Sequence, residues 1–327
     1  MPENTANGCI IHTLKDHADD INSVAFSPDS QVLASASDDK TVRLWNVSDG
    51  SLIRILDGHA KRATCVAFSP DGQTLASTSY DGTIQLRKMS DGSLIHTLFD
   101  YSGHVFTLAF SPDGQTLASA SKDCFVRLWR VSDGYLIRVL KGHADWVKSI
   151  AFSPNGRIIA SASCDNTVRL WRVFDGFLLG VLRDHVNWIS SIAFSPNNRI
   201  LATASWSEII RLWTIPDCSL LRILDGNTGT VNSIAFSPDG QILASADTDG
   251  IIQLKWVPTG SLLRVLQGHS SWIRSVAFSP DGRVLASGGD DKIIQLWDCR
   301  NILKQGVKII SLKGYSTFSS NEDRQIS

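Results

Sequence analysis

The chain repeats one segment at a constant interval, and this periodicity limits its fold more than any other feature. Close copies of VAFSPDG, as it stands at residues 66–72, recur seven times at steps of 42 residues without insertion or deletion. The phenylalanines that mark the copies are Phe26, Phe68, Phe110, Phe152, Phe194, Phe236 and Phe278. A period of this length indicates one supersecondary unit stacked many times. Every loop then has the same length in every unit, so function must depend on side chains displayed on a regular scaffold.

Each unit consists of four short β-rich segments separated by turn residues. In the first unit the segments are INSVAF from Ile21, QVLASAS from Gln31, TVRLW from Thr41 and SLIRIL from Ser51. The turns between them are rich in Pro, Asp, Ser and Gly, which supply the backbone angles that tight turns need. The pattern predicts an antiparallel meander of four strands and no helix. A small sheet cannot bury both of its faces, so the units must pack together, and a closed ring protects their edges.

Composition and charge exclude several classes of function. The net charge is -1, so no global electrostatic field recruits nucleic acid or an anionic membrane. Hydrophobic residues make up 43% of the chain, which is enough for a large core. No apolar run approaches the roughly 18 residues of a membrane-spanning helix, and the N-terminus lacks the pattern of a secretion signal. The six cysteines are scattered and form no C-x-x-C pair. We therefore expect a reduced, cytoplasmic protein without direct nucleic-acid or membrane contact.

Four polar and aromatic positions recur within the units at fixed spacing. Three units have the full set: His17, Ser35, Asp39 and Trp45; His143, Ser161, Asp165 and Trp171; and His269, Ser287, Asp291 and Trp297, the last followed by Asp298. With this pattern the chain resembles the WD40-repeat β-propellers over about residues 9–302, and its uniform units are most similar to bacterial, especially cyanobacterial, members. The resemblance implies an all-β fold, a seven-bladed propeller with four-stranded antiparallel blades. It also implies a hydrogen-bonded network in each complete blade, from His to Asp and Ser and from Ser to Trp.

The other four units depart from the pattern. Unit two has Arg87 at the Trp position, unit three has Tyr101 at the His position, and unit five has Ser207 instead of Asp. Unit six has Asn227 for His and Lys255 for Trp. Because the apolar and turn patterns persist, we expect the fold to survive these changes, with reduced local rigidity in units five and six.

The chain termini predict how the ring closes. Residues 9–14 align with the fourth strand of the other units, and the resemblance implies that this N-terminal strand completes the last blade. Residues 303–312 are an alternative closing strand. We expect residues 1–8 to be an N-terminal tail, 9–302 to be the propeller, and 303–327 to be a partly disordered C-terminal extension, polar from about Gly314.

Neither the recurring acidic nor the recurring histidine residues predict catalysis or metal binding. Six units carry a turn aspartate, which the resemblance assigns to hydrogen bonding within the blade rather than to calcium. The in-register histidines are spread one per blade and cannot converge on one ion. Ser, His and Asp recur together, but no G-x-S-x-G, P-loop or zinc spacing is present. We therefore expect a protein that is not an enzyme and holds no cofactor.

The resemblance places three positions of each blade on one rim of the ring, the top rim, facing outwards. They are Asp20, Asn22 and Asp38 in unit one and Trp146, Lys148 and Cys164 in unit four. Aromatic and basic residues, which dominate interface energetics, are concentrated there. The candidate partner-binding residues are Tyr80, Phe106, Trp146, Lys148, Trp188, Trp206, Trp272 and Arg274.

We place the centre of this patch on Trp146, Trp188 and Trp206 with Lys148, because the three tryptophans come from adjacent units. The predicted function is a monomeric propeller scaffold that binds protein or peptide partners, in bacterial signalling or complex assembly. Three alternatives stay open at this point. The tryptophans at the first position pack on the next blade, the chain belongs to an RNA–protein particle, or it is a propeller enzyme.

Overall fold

The structure, a computed structural model, describes residues 10–100 and 103–300. These residues form 28 β-strands, which are grouped into seven four-stranded antiparallel sheets. The first strand of each sheet contacts the first strand of the next, and the seventh sheet contacts the first, so the sheets are the blades of a closed ring. The prediction of an all-β, seven-bladed propeller is confirmed.

The strands of each blade follow the repeat. Blades 1 to 3 comprise β2 Ile21–Phe26, β3 Val32–Ser37, β4 Val42–Asn46 and β5 Leu52–Leu56; β6 Ala63–Phe68, β7 Thr74–Ser79, β8 Thr83–Lys88 and β9 Leu94–Phe99; and β10 Val105–Phe110, β11 Thr116–Ser121, β12 Val126–Arg130 and β13 Leu136–Leu140. Blades 4 and 5 comprise β14 Val147–Phe152, β15 Ile158–Ser163, β16 Val168–Arg172 and β17 Leu178–Leu182; and β18 Ile189–Phe194, β19 Ile200–Ser205, β20 Ile210–Thr214 and β21 Leu220–Leu224. Blades 6 and 7 comprise β22 Val231–Phe236, β23 Ile242–Asp247, β24 Ile251–Trp256 and β25 Leu262–Gln267; and β26 Ile273–Phe278, β27 Val284–Gly289, β28 Ile294–Asp298 and, from the other end of the chain, β1 Ile10–Leu14.

The turn between the first two strands shows why Ser-Pro-Asp-Gly recurs. In blade 2, Gly72 adopts a φ of 70°, a conformation that favours glycine. The Asp71 carboxylate accepts the Gln73 amide at 2.9 Å, and the Ser69 hydroxyl accepts the Thr74 amide at 2.9 Å. Side chains therefore satisfy the backbone groups that the turn leaves unpaired. The turn fixes the alignment of the two strands and with it the side chains that reach each rim.

The N-terminal strand closes the ring. Strand β1 pairs antiparallel with β28, with Ile10 opposite Trp297 and Leu14 opposite Ile294. The sheet order β1-β28-β27-β26 makes β1 the outermost strand of blade 7. Closure by this segment, as predicted, joins the two ends of the domain. The alternative closing segment 303–312, the tail from Gly314 and the substitution at Tyr101 lie outside the described residues.

The apolar core lies between the blades rather than within each one. The cluster that closes the ring combines Leu14 and Leu296 of blade 7 with Ile21, Leu33 and Trp45 of blade 1. The other six clusters likewise span two neighbouring blades. Burial of apolar surface at these interfaces is the main driving force for assembling the ring. No single blade completes its core without its neighbours.

Hydrogen bonds near the central channel reinforce these interfaces. A serine of each of several first strands accepts a backbone amide from the first strand of the next blade: Ser23 from Val66, Ser149 from Ile192, Ser191 from Ile234, Ser233 from Val276 and Ser275 from Val24, at 3.0–3.3 Å. The recurring serines of the first strands are thus used to connect blades. Across residues 10–100 and 103–300, no helix has the length and apolar character needed to span a membrane.

Candidate functional site

The recurring polar residues form a buried chain of hydrogen bonds in blade 4. His143 Nδ1 donates to Asp165 Oδ2 at 2.8 Å, and its Nε2 lies 2.8 Å from Ser161 Oγ. Ser161 Oγ also accepts Trp171 Nε1 at 2.8 Å. The same contacts recur in blades 1 and 7, formed by His17, Ser35, Asp39 and Trp45 and by His269, Ser287, Asp291 and Trp297. In these three blades both ring nitrogens of the histidine form hydrogen bonds within the blade, so neither nitrogen is directed towards a substrate.

Blades that lack part of the set replace it with other bonds. At the Trp position of blades 2 and 6, Arg87 and Lys255 each donate at 2.6 Å to a backbone carbonyl of the incoming loop, that of Asp57 or Asp225. In blade 6, Asn227 Oδ1 takes the place of the histidine nitrogen and accepts Ser245 Oγ at 2.8 Å. These substitutions keep the incoming loop attached to the blade.

The expectation that Asp249 is the turn acceptor of blade 6 is wrong. Asp249 occupies the aspartate position of the repeat, but its carboxylate is not the acceptor in this turn. The buried Asp247, two residues earlier, accepts the amides of Asp249 and Ile251 at 3.0 Å. Asp247 lies where the other repeats mostly have serine, so its longer side chain reaches the turn from within strand β23.

Blade 5 has a histidine without a carboxylate partner. His185 Nε2 lies 2.8 Å from Thr203 Oγ1, which accepts Trp213 Nε1 at 2.9 Å, so this part of the network is intact. With Ser207 in place of the aspartate, the only hydrogen-bond partner of His185 Nδ1 in the described part of the chain is Arg211 NH1, at 3.4 Å. Burial and the nearby Arg211 lower the pKa of His185 to about 4.

A β-bulge in every first strand shapes the top rim. In all seven blades the register between the first two strands shifts around one residue, for example Lys148 between Val147 and Ser149. This residue is the second of the three rim positions, which are Trp146, Lys148 and Cys164 in blade 4. A bulge leaves its residue unpaired and turns its side chain out of the strand pattern. The second positions therefore point into the mouth of the central channel.

Four of the seven second positions tie the blades together. Asn22, Thr64, Ser190 and Asn232 each donate to the backbone carbonyl 41 residues later, in the next blade, at 2.6–3.1 Å. The other three are Phe106, Lys148 and Arg274, whose side chains make no such bond among the described residues. Arg274 instead forms hydrogen bonds with side chains of the rim. Phe106 and Lys148 lie at the channel mouth, where the Lys148 ammonium contacts the Phe106 ring.

The rim residues line one cavity at the channel mouth, which we call the rim cavity. Its volume is about 320 Å³. All eight candidate partner-binding residues line it: Tyr80, Phe106, Trp146, Lys148, Trp188, Trp206, Trp272 and Arg274. The remaining lining side chains are mostly the small polar residues that tie the blades, so aromatic and cationic groups provide its distinctive chemistry.

Aromatic side chains of blades 2 to 4 form a connected group on one side of the rim cavity. Tyr80 stacks on His104 with ring centres 4.6 Å apart, and Phe106 meets Tyr80 edge-on at 5.9 Å. Trp146 lies against Phe106 at 5.6 Å. Lys148 Nζ lies over the Phe106 ring, 3.9 Å from its centre. This group thus already contains a cation supplied by the chain itself.

Blade 5 provides a separate aromatic pair. The rings of Trp188 and Trp206 are 5.4 Å apart and tilted by 36°. The Trp206 amide donates to the Trp188 carbonyl at 2.7 Å, and Asn187 Nδ2 donates to the Trp206 carbonyl at 2.9 Å. These backbone bonds hold both rings at the rim although the turn has lost its aspartate.

Paired charges occupy the opposite side of the rim cavity. Arg274 donates to Asp290, to Asp20 Oδ2 at 2.9 Å and to Asn22 Oδ1 at 3.0 Å. Burial alone would lower the pKa of Arg274, but the hydrogen bond and charge of Asp290, with Asp20, outweigh it and raise the pKa. Asp38 pairs with Arg62 at 2.8 Å. The cations on this side of the rim cavity therefore have carboxylate partners from the chain itself.

Comparison with known families supports the interpretation of the repeat. Residues 260–298, from the outer strand of blade 6 through β28 of blade 7, match the family described as WD domain, G-beta repeat. The chain is a β-propeller that carries a WD40 repeat. Residues 104–258 also match the IFT122 first beta-propeller family, and residues 21–177 match the Echinoderm microtubule-associated protein second beta-propeller family. WD40 propellers generally bind protein partners and are typically non-catalytic scaffolds.

Two expectations for the rim of the propeller need correction. Asp38 and Cys164, both at the third position, do not face outwards but are buried, Asp38 beneath Asn22 and Arg62. The three central tryptophans are also divided between two groups, because Trp146 packs on Phe106 whereas Trp188 and Trp206 contact each other. They share the rim cavity but form no single stack.

Two groups of side chains are absent from the candidate partner-binding residues, although the first of them, His104 and Lys122, occupies rim positions that were predicted to face outwards. His104 and Lys122 belong to the aromatic group of the rim, with Lys122 Nζ 5.0 Å from the Trp146 ring centre. On the opposite rim, Phe174 and Phe177 of the propeller are 89% and 60% exposed. Serine or proline stands at most of the equivalent positions in the other repeats, and this contrast is the signal that could have revealed the two phenylalanines.

The acidic and histidine side chains of the described residues do not converge. Among residues 10–100 and 103–300, no group of three or more His, Cys, Asp or Glu side chains is arranged to hold a metal ion. Cys65, Cys124, Cys164 and Cys218 are free. Burial raises the pKa of the Cys164 thiol, beside the rim cavity, to about 11, which keeps the thiol protonated at neutral pH.

Proposed function

We propose that this WD40 propeller is a non-catalytic scaffold that binds a protein or peptide partner across the rim cavity. The contact residues are Trp188 and Trp206 with Trp146, Lys148 and Trp272, supported by Tyr80, Phe106 and Arg274 around the same cavity. The proposed setting is a reduced cytoplasmic compartment, in a signalling or assembly complex of the bacterial type that the regular repeats resemble. The free cysteines are consistent with that compartment.

The observation that carries the proposal is the contrast between two sets of tryptophans. Trp45, Trp171, Trp213 and Trp297, which belong to the polar networks, are at most 3% exposed. Trp146, Trp188, Trp206 and Trp272 on the rim are 37%, 48%, 47% and 45% exposed. Exposed aromatic surface of this kind is costly to leave in water and is typical of interaction sites. Packing on the next blade therefore buries only part of each of these four rings.

The chemistry of the rim favours a protein over a nucleic acid. Phosphate backbones are recognised mainly by unpaired cations, whereas Arg274 and Arg62 are already paired with carboxylates. Four half-exposed tryptophans around a concave cavity instead match the aromatic anchors of protein interfaces. These contacts support a partner that inserts apolar side chains.

The experiment compares partner capture by the wild-type chain and by Trp206→Ala. A partner retained from native lysate by the wild type is identified, purified and titrated against both proteins. We expect the substitution to weaken binding by about 2 kcal/mol or more, about 30-fold in Kd. Thermal unfolding should change little, because almost half of the Trp206 side chain is exposed.

Phe177→Ala is the matched control, since it removes a more exposed aromatic ring from the opposite rim. It should leave Kd unchanged. Full binding by Trp206→Ala combined with a large loss of stability would show that Trp206 is a packing residue. Weakened binding by Phe177→Ala alone would place the site on the other rim.

A further inference from the structure

Lys148 differs from the other cations around the rim cavity. Its Nζ lies over the Phe106 ring at 3.9 Å, and the residue is half-buried. Among residues 10–100 and 103–300, Nζ makes no ion pair within 4.0 Å and no hydrogen bond to a protein atom. Arg274 and Arg62, by contrast, each contact at least one carboxylate. Lys148 is therefore a half-buried cation that lacks an anionic partner from the described part of its own chain.

The surroundings of Lys148 do not compensate for its charge. The titratable groups that affect the pKa of Lys148 are the Cys164 thiol and Arg274, and Arg274 carries a like charge. Burial is the main cause that lowers the pKa of Lys148, with Arg274 adding to it. A buried ammonium is unfavourable unless an opposite charge or hydrogen-bond acceptors replace its lost water. The Phe106 ring supplies only part of that replacement.

The same geometry argues against a cationic ligand. Aromatic groups such as Tyr80, Phe106 and Trp146 recognise ammonium or guanidinium groups when the space between them is free. Here Lys148 lies over Phe106 and Lys122 lies over Trp146, so the chain itself provides the cations. A lysine or arginine of a partner would meet like charges at this position. An anion would meet an unpaired lysine with aromatic walls on either side.

We propose that the rim cavity receives an Asp or Glu side chain from an extended peptide of the partner, with its carboxylate against Lys148 Nζ. Apolar residues next to that acid pack on Trp188 and Trp206. This inference rests on the proposed function, which it extends by naming the chemistry of the ligand. The cavity volume of about 320 Å³ accommodates one such side chain with parts of its neighbours. One lysine without a partner matches the single charge of a carboxylate.

The test uses the purified full chain and an array of synthetic nonapeptides with acetylated and amidated ends. The central residue is Glu, Asp, Gln, Lys or phosphoserine, and the flanking residues are uncharged with Leu or Phe on both sides. Retention is measured for the wild type, Lys148→Met, Lys148→Arg and Trp206→Ala. Lys122→Met is the matched control, because it removes a rim lysine that lies over Trp146 and is exposed.

We expect the wild type and Lys122→Met to retain Glu or Asp peptides about tenfold better than Gln peptides, which is the scale of one charge-assisted hydrogen bond. Lys148→Met should lose this preference while still retaining peptides through their apolar residues, and Lys148→Arg should restore it. Trp206→Ala should weaken retention of all peptides alike.

Equal retention of Glu and Gln peptides by the wild type would overturn the inference, as would a preference that survives Lys148→Met. A tenfold preference for phosphoserine over Glu, or for Lys over Gln, would overturn the carboxylate assignment. In each of these cases a general loss of retention in Trp206→Ala would still support the proposed function. No retention of any peptide by the wild type would count against both.

Discussion

Removal of the Asp165 carboxylate from blade 4 tests the polar network most sharply. Oδ2 accepts His143 Nδ1 at 2.8 Å and the Ala144 amide at 3.0 Å, and Oδ1 accepts the Thr167 amide at 2.9 Å and its hydroxyl at 2.6 Å. In Asp165→Ala, water can replace the partner of the Ala144 amide, which faces solvent. The buried His143 and Thr167 donors lose their acceptor.

The magnitude follows from these donors. A buried donor without a partner costs about 1–3 kcal/mol. Three such donors (His143 Nδ1 and the amide and hydroxyl of Thr167), with partial recovery because Thr167 Oγ1 lies 3.4 Å from His143 Nδ1, give an expected loss of about 3 kcal/mol. Ser207→Ala is the matched control at the equivalent position of blade 5. Ser207 Oγ accepts only the Ile209 amide at 3.3 Å and contacts Ser205 Oγ at 2.9 Å, so we expect about 1 kcal/mol or less.

The assay is urea unfolding at pH 7, followed by tryptophan fluorescence. Asp165→Ala should lower the midpoint clearly more than Ser207→Ala. Burial alone would raise the pKa of Asp165, but hydrogen bonds from His143, Thr167 and Ala144 outweigh it and hold the pKa well below its usual range. A carboxyl with a depressed folded-state pKa stabilises the protein above its unfolded pKa of about 3.9, and this contribution is lost as the pH falls further. The difference between wild type and Asp165→Ala should therefore narrow below about pH 4. Equal midpoint shifts for the two variants at pH 7 would refute the network as described.

Two further predictions concern ring closure and blade 5. Deletion of residues 1–14 removes β1 from blade 7 and Leu14 from the apolar cluster that closes the ring. The whole ring should then unfold in one cooperative step at a lower denaturant midpoint. An unchanged midpoint would assign ring closure to another segment. Ser207→Asp should give His185 Nδ1 an acceptor and raise the pKa of His185 from about 4 towards 6.5, as measured by NMR titration; an unchanged pKa would contradict this. Because a histidine with a depressed pKa costs stability as the pH falls from 6.5 to about 4, the variant should lose less stability than the wild type over that interval.

The fold was predictable from sequence because its determinants are local and repeated. The turn residues Pro70, Asp71 and Gly72 specify a tight turn by themselves, and strand alternation follows within six residues. The constant 42-residue period then forces seven equivalent units. Alignment of residues 9–14 with a fourth strand identified the closing segment. Each of these signals depends on neighbours along the chain.

The rim could be predicted only in part, because its geometry depends on contacts between blades. Nothing in the pattern of residues near Lys148 reveals the bulge that turns its side chain towards the channel. Asn22 and Lys148 occupy the same position of the repeat, yet Asn22 is short and polar and reaches the Ala63 carbonyl of the next blade. That bond joins residues 41 positions apart. The burial of Cys164 and the separation of Trp146 from the Trp188–Trp206 pair likewise arise only when blades 3 to 5 are packed.

The account places partner binding at the rim cavity, and hydroxyl-radical footprinting of the complex tests this most directly. Side-chain oxidation is measured for the free chain and for the chain saturated with its purified partner. The account predicts that oxidation of Trp188 and Trp206 falls several-fold in the complex, while Phe174 and Phe177 on the opposite rim are oxidised as before. Protection of Phe174 and Phe177 with unchanged oxidation of Trp188 and Trp206 would contradict it.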